Sequence, residues 1–192
     1  MSPFRTLIGC GLATLLCIGA NTPSFAQEAS VDPVFAFNRI CYTKVPNVEA
    51  IKRLAAELAW IPITKESDLA AFAPGSDPKA VSGWDAKIGK QLYRVGIVQD
   101  GLNDRQRELF PDFAKGRATT CTMVVDEEQD GAQMLANMQV LAGREPLSRD
   151  VAEGALRTTT WAGGNESLKV FLIGKTTEDG KGGLLAVTVL ER

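Results

Sequence analysis

The chain has 192 residues, with 21 Lys and Arg against 23 Asp and Glu, no histidine and four cysteines, for a formal charge of −2. A mildly acidic balance argues against nucleic acid as a partner, because phosphate binding needs clustered Lys and Arg, and it gives no basis for attraction to anionic lipid. The missing histidine removes the usual general base for a serine or cysteine nucleophile at neutral pH, and with it the commonest metal ligand.

Residues 1–26 read as a secretory signal peptide. Arg5 supplies the positive charge, Leu7 to Ala20 is an apolar run of 14 residues, and Ser24-Phe25-Ala26 puts small residues ahead of a cleavage before Gln27. That run is shorter than the roughly 20 residues a helix needs to cross a bilayer, and no later stretch is long enough. Leu7-Ile8-Gly9-Cys10 resembles a bacterial lipoprotein cleavage box, but only nine residues precede Cys10 and the apolar run continues past it. This disfavours a lipid anchor at Cys10 and leaves a periplasmic or secreted protein. Residues 27–192 then form a single domain of 166 residues with a charge of −3.

Cleavage removes Cys10 and Cys17, so Cys41 and Cys121 remain. In an oxidising compartment the simplest use of that pair is a disulfide. It would close a loop 80 residues long, and loop-closure entropy puts its contribution at roughly 4 to 5 kcal/mol. Two buried free thiols are the alternative. A zinc site is a poorer one, because two thiolates without histidine do not close a tetrahedral shell.

In chain order, Asp32-Pro33 is a helix start, followed by Val34, Phe37, Ile40 and Cys41 at helical spacing. A second helix begins at Asn47, with Val48, Ile51, Leu54, Ala55 and Leu58 on its apolar face and Trp60 at its end, a core residue. Glu66 to Phe72 is read as a short helical turn capped by Thr64 or Ser67. Residues 73–83 are rich in turn formers and read as a long surface loop ending at Trp84. Gln91–Val98 is the first strand and Ala118–Val125 the second. Between them Arg105–Ala114 is ambiguous, with Pro111 interrupting an apolar face. Asp130 starts a helix over Gly131–Ala142, with Met134, Leu135, Met138 and Leu141 as its stripe and Gly143 as its stop. Residues 144–155 read as a charged connection. Three antiparallel strands close the chain over Leu156–Trp161, Leu168–Lys175 and Leu184–Glu191. The last is apolar on both faces and so belongs at the centre of the sheet or under cover on each side. The fold expected is α+β: a mostly antiparallel sheet of about five strands covered by helices, with an N-terminal helical pair.

Chemical motifs are sparse. There is no G-x-S-x-G elbow, and Gly174-Lys175-Thr176 lacks the leading glycine of a phosphate loop, since Lys169 stands there. Asp126, Glu127, Glu128 and Asp130 cluster, but without the alternation and glycine bend of a calcium loop they read as a solvated acidic connection. Asn165-Glu166-Ser167 matches a glycosylation acceptor, relevant only in a eukaryotic host. Trp84 and Trp161 are candidates for a binding surface, because aromatic side chains dominate binding energetics, with packing over the sheet as the alternative for each. No catalytic residue, metal ligand or cofactor is assigned.

These features fit an exported, non-catalytic binding or accessory module whose partner is a protein or small molecule of the cell envelope. Two other readings stay open. One is a carboxylate-dependent hydrolase acting on envelope material, with Asp85, Asp126 and Glu128 as its acids. The other is a carrier with an apolar cavity for a small ligand.

Overall fold

The computed structural model describes residues 31–72 and 81–192. The expected signal peptide, and residues 73–80 of the expected loop, lie outside them. Helix α1 (Pro33–Phe37) starts where the Val34 amide donates to Asp32 Oδ1 at 2.9 Å, with proline at the first helical position. It runs directly into a π-helical turn over Asn38–Tyr42. Helix α2 (Val48–Glu57) is capped by Asn47, whose side chain accepts from the Ala50 amide at 3.0 Å. The remaining helices are α3 (Glu66–Ala70), α4 (Asp104–Leu109) and α5 (Gly131–Ala142), with a 3₁₀ turn at Pro111–Phe113. Pro111 divides the ambiguous segment there, because proline cannot donate to a continuing helix.

The strands are β1 (Ile61–Pro62), β2 (Val81–Ile88), β3 (Gln91–Gly101), β4 (Arg117–Asp130), β5 (Ser148–Glu153), β6 (Leu156–Gly164), β7 (Leu168–Thr177) and β8 (Lys181–Glu191). They form one antiparallel sheet in the order β1-β2-β3-β4-β8-β7-β6-β5. The expectation of about five helix-covered strands with an N-terminal helical pair is therefore corrected: a single eight-stranded sheet dominates, and the helices are few. β1, β2 and β5 were not expected. β2 carries Gly83 and emerges from the predicted loop, while β5 is an exposed edge strand whose polar side chains mimic a connection. The predicted cap of α3 is also corrected, since Lys65 occupies that position without a side-chain hydrogen bond.

The sheet consists of two four-stranded meanders, β1–β4 and β5–β8, that meet at the β4–β8 seam. β8 is thus central, as its apolar character on both faces suggests. Register places Ile97, Cys121, Val187, Leu172 and Trp161 side by side in one row across β3, β4, β8, β7 and β6. All five are buried, in the core that the row shares with Phe37, Ile40 and Ile51 of the opening segment and Met134 and Met138 of α5. At the middle of this row Cys121 is bonded to Cys41 of the π-helical turn, with Cα atoms 5.5 Å apart.

α5 is started by Asp130, which accepts from the Ala132 and Gln133 amides, and stopped by Gly143 at φ +62°, a left-handed conformation that favours glycine. Asn137 of α5 donates to Asp32 Oδ2 at 3.0 Å, which ties α5 to the start of α1. Nearby, the Tyr93 hydroxyl lies between the Val31 carbonyl oxygen, at 3.2 Å, and the Gln91 side chain. Burial, and secondarily the Asp32 charge, push its pKa up to about 12.

Candidate binding trough on the more open sheet face

Because strand side chains alternate, the residues between those of the covered row face the other way. The opposite face presents Val98, Thr120, Thr188, Phe171 and Ala162 in one row, and Gly96, Thr122, Ala186, Ile173 and Thr160 in the next. Two short elements cover its ends. At the β2–β3 end, Phe72 and Leu69 pack on Val81 and Val98. They come so close that a Cβ on Gly96 would stand 2.2 Å from Phe72 Cγ, and one on Gly83 would stand 2.9 Å from Leu69 Cδ2. Glycine is required at Gly96 by that close approach. Toward the β7 side, α4 and the 3₁₀ turn bury Leu102 and Phe113 against Leu190. There Phe110 lies over Phe171 with ring centroids 5.4 Å apart and tilted by 55°.

Between these two caps the face is recessed. Thr122 and Ala186, small side chains paired across β4 and β8, are buried there. The recess has two compartments. A polar one of about 410 Å³ is bounded by Phe72, Asp100, Asn103, Gln106, Arg107 and Thr120. An apolar slot of about 200 Å³ is bounded by Phe110, Phe171, Ile173, Leu190, the Thr160 and Thr188 side chains, and again Gln106. Thr120 and Thr188, one in each compartment, share a hydrogen bond of 2.9 Å between their hydroxyls, so the two spaces adjoin.

Gln106 is held at that junction by a capping box. Asn103 Oδ1 accepts from the Gln106 amide at 2.8 Å, and Gln106 Oε1 accepts from the Asn103 amide at 2.9 Å. A larger depression, about 560 Å³, is framed by Asn47, Glu49, Lys52, Gln99, Arg117 and Glu191. There Lys52 is paired with Glu49 at 2.9 Å, and the Gln99 side chain donates to the Thr119 hydroxyl at 3.0 Å.

Trp84 is 8% exposed and Trp161 2%, and both rings sit in the helix-covered core. The Trp161 indole N–H donates to Gln139 Oε1 at 2.8 Å, and its ring borders a cavity of about 100 Å³ beside Tyr42 and Arg144. Of the candidate acids, Asp126 and Glu128 border one depression of about 210 Å³ beside Leu92 and Tyr93, and Asp85 is not among its lining residues. Asp85 pairs with Arg94 at 3.5 Å on the more open face, while Asp126 and Glu128 are exposed beyond β4's regular pairing with β8. Carboxyls with perturbed ionisation are Asp150, Glu153 and Asp179, held low by hydrogen bonds from Arg157, Lys175 and Thr177 respectively. That direction is opposite to the one a general acid requires.

Among the described residues, no group of three or more His, Cys, Asp or Glu is placed to hold a metal, and no helix is long and apolar enough to cross a membrane. Gly174-Lys175-Thr176 lies inside β7, away from any phosphate-loop geometry. Asn165 organises the β6–β7 turn, its side-chain oxygen accepting from the Ser167 and Leu168 amides. No protein-family model, curated protein or solved structure matches this chain.

Sequence reasoning did not single out Gln106, Phe110, Phe171 or the Thr120–Thr188 pair. The spacing of Asn103 and Gln106 could have marked a capped helix. The trough itself depends on pairings between distant strands.

Proposed function

We propose that this protein is an exported, non-catalytic binding module whose ligand is a small molecule held in the trough on the more open face of the sheet. Residues 1–26 direct export, and the Cys41–Cys121 bridge suits the oxidising compartment that export reaches. One observation carries the reading: a sheet whose one face is filled by the opening segment and α5, while the other is capped at two ends and left recessed between them. The two compartments, about 410 and 200 Å³, together fall within the roughly 300–1,000 Å³ of small-molecule sites. A recess of that form suits an enclosed small ligand better than a flat protein interface.

Native mass spectrometry of protein recovered from the periplasm tests this. The expected wild-type result is a chain beginning at Gln27 with a small-molecule adduct. Thr188→Trp, which fills the slot from its floor, should fold equally well and lack the adduct. Identical spectra for the two proteins would overturn the assignment of the trough, and an uncleaved chain retained in the cytoplasm would overturn export.

A further inference from the structure

The chemistry of the two compartments narrows the ligand further, on the premise that the trough is the binding site. The slot is walled by two tilted aromatic rings, Ile173, Leu190 and threonine side chains, and offers little to a charged group. A dry apolar cavity of about 150 Å³ is enough to hold a benzene ring, so 200 Å³ admits a ring or a short hydrocarbon chain. At the junction the wholly unpartnered capacity lies in donors, since each oxygen there already takes part in a hydrogen bond, although a second lone pair on each can still accept. Gln106 Oε1 accepts from the Asn103 amide, and the side-chain NH₂ has no hydrogen-bond partner among the described residues. Thr120 and Thr188 use one hydroxyl hydrogen in bonding to each other, so the second is left to donate elsewhere. Further along the polar compartment, Asp100 and Arg107 bring opposite charges to its walls. Arg107 is already paired with Asp104 at 3.1 Å. These charges border the polar compartment, and no charged side chain borders the apolar slot, so nothing at the slot itself recruits an ion.

We infer that the trough takes a short uncharged amphiphile, its hydrocarbon end in the Phe110–Phe171 slot and a carbonyl-type oxygen accepting from Gln106 and the free threonine hydroxyl. The test titrates the oxidised full domain with 2-octanone and, separately, with octylammonium, following backbone amide shifts by NMR. 2-Octanone should shift residues around Thr120, Ile173 and Thr188, and octylammonium should bind at least tenfold more weakly. Gln106→Glu keeps the oxygen that closes the capping box but removes the NH₂ donor. It should weaken 2-octanone about tenfold while leaving Tm unchanged, and because the probe is neutral the new charge does not repel it. Thr188→Trp should abolish binding of both probes.

Equal binding of the two probes, or an unaltered 2-octanone affinity in Gln106→Glu, would overturn the acceptor-head assignment and leave the trough as the site. If neither probe perturbs the trough of the folded protein, or Thr188→Trp leaves the shifts intact, the small-molecule reading falls as well.

Discussion

The two faces of this sheet are made by the same strands, one residue out of phase, and they do opposite things. On the covered face Met123, Leu185 and Val187 are completely buried beneath helices and clamped by a disulfide. On the open face, their sequence neighbours Val124, Leu184 and Thr188 line a surface that short caps reach only at two ends. Stability is therefore concentrated on one side and chemical opportunity on the other. Substitutions should separate the two.

The largest expected effect is on the covered face. Replacing both Cys41 and Cys121 with serine opens a loop of 80 residues, and should lower stability by about 4–5 kcal/mol on entropic grounds. Thermal unfolding of the double variant against the oxidised parent measures it. A loss near zero would mean that the helices hold this face unaided. Next comes an adjacent pair on opposite faces. Met123→Ala empties a fully buried site and should cost about 2–5 kcal/mol. Val124→Ala, on the open face and 39% exposed, should stay within about 0.5 kcal/mol. Comparable denaturation midpoints for the two would erase the distinction between faces.

The end of the open face where Phe72 docks should respond at an intermediate level. A Cβ on Gly96 would meet Phe72 Cγ at 2.2 Å, so Gly96→Ala must displace the ring. The expected loss is about 1–3 kcal/mol, the range for overpacking, with changed aromatic NMR shifts for Phe72. An unshifted Phe72 spectrum would show that the ring does not form that wall of the trough.

Much of the covered face was legible in the sequence, because its signals are local. Asn47, Asp130 and Gly143 mark helix ends by chemistry confined to one turn. The Cys41–Cys121 bridge followed from an even pair in a chain read as exported, and β8's position from an apolar character on both faces. The open face was not legible for the converse reason. Gly83 falls in the stretch read as a loop and Gly96 lies unremarked inside the first predicted strand, whereas both make room for Leu69 and Phe72 from another segment. β5 reads as a linker because an edge strand with exposed faces has no apolar period to reveal it. The Thr120–Thr188 pair, separated by 68 positions, exists only through strand register.

Tyr93 offers a smaller and pH-dependent effect on the covered side. Its folded pKa, near 12, lies above the unfolded value of about 10. The group's stabilising contribution is therefore fully present below about pH 10 and is lost as pH rises toward 12. Denaturation midpoints across that window should fall for the wild type and fall less for Tyr93→Phe. Parallel curves would show that the hydroxyl is not kept neutral by its burial beside Asp32.

The smallest effect is expected at the β5 edge, which belongs to neither packed face. Asp150 sits at the irregularity between Ser148 and Val151 with φ +56°, and accepts two hydrogen bonds from the Arg157 guanidinium. The guanidinium holds the carboxyl below its ordinary range, so the pair favours the fold above the unfolded pKa and that contribution fades as pH falls through acid. Both groups are well exposed to water, where ion pairs are screened and weak. Asp150→Asn tolerates the left-handed backbone, removes the charge and leaves one oxygen to accept from Arg157 where two do now. It should leave Tm at neutral pH unresolved from wild type while hastening amide exchange in β5. A clear fall in Tm would instead make β5 a structural boundary of the whole sheet. The bulge and its ion pair would then be protecting the fold itself, beyond their expected use in discouraging another strand from adding at this edge.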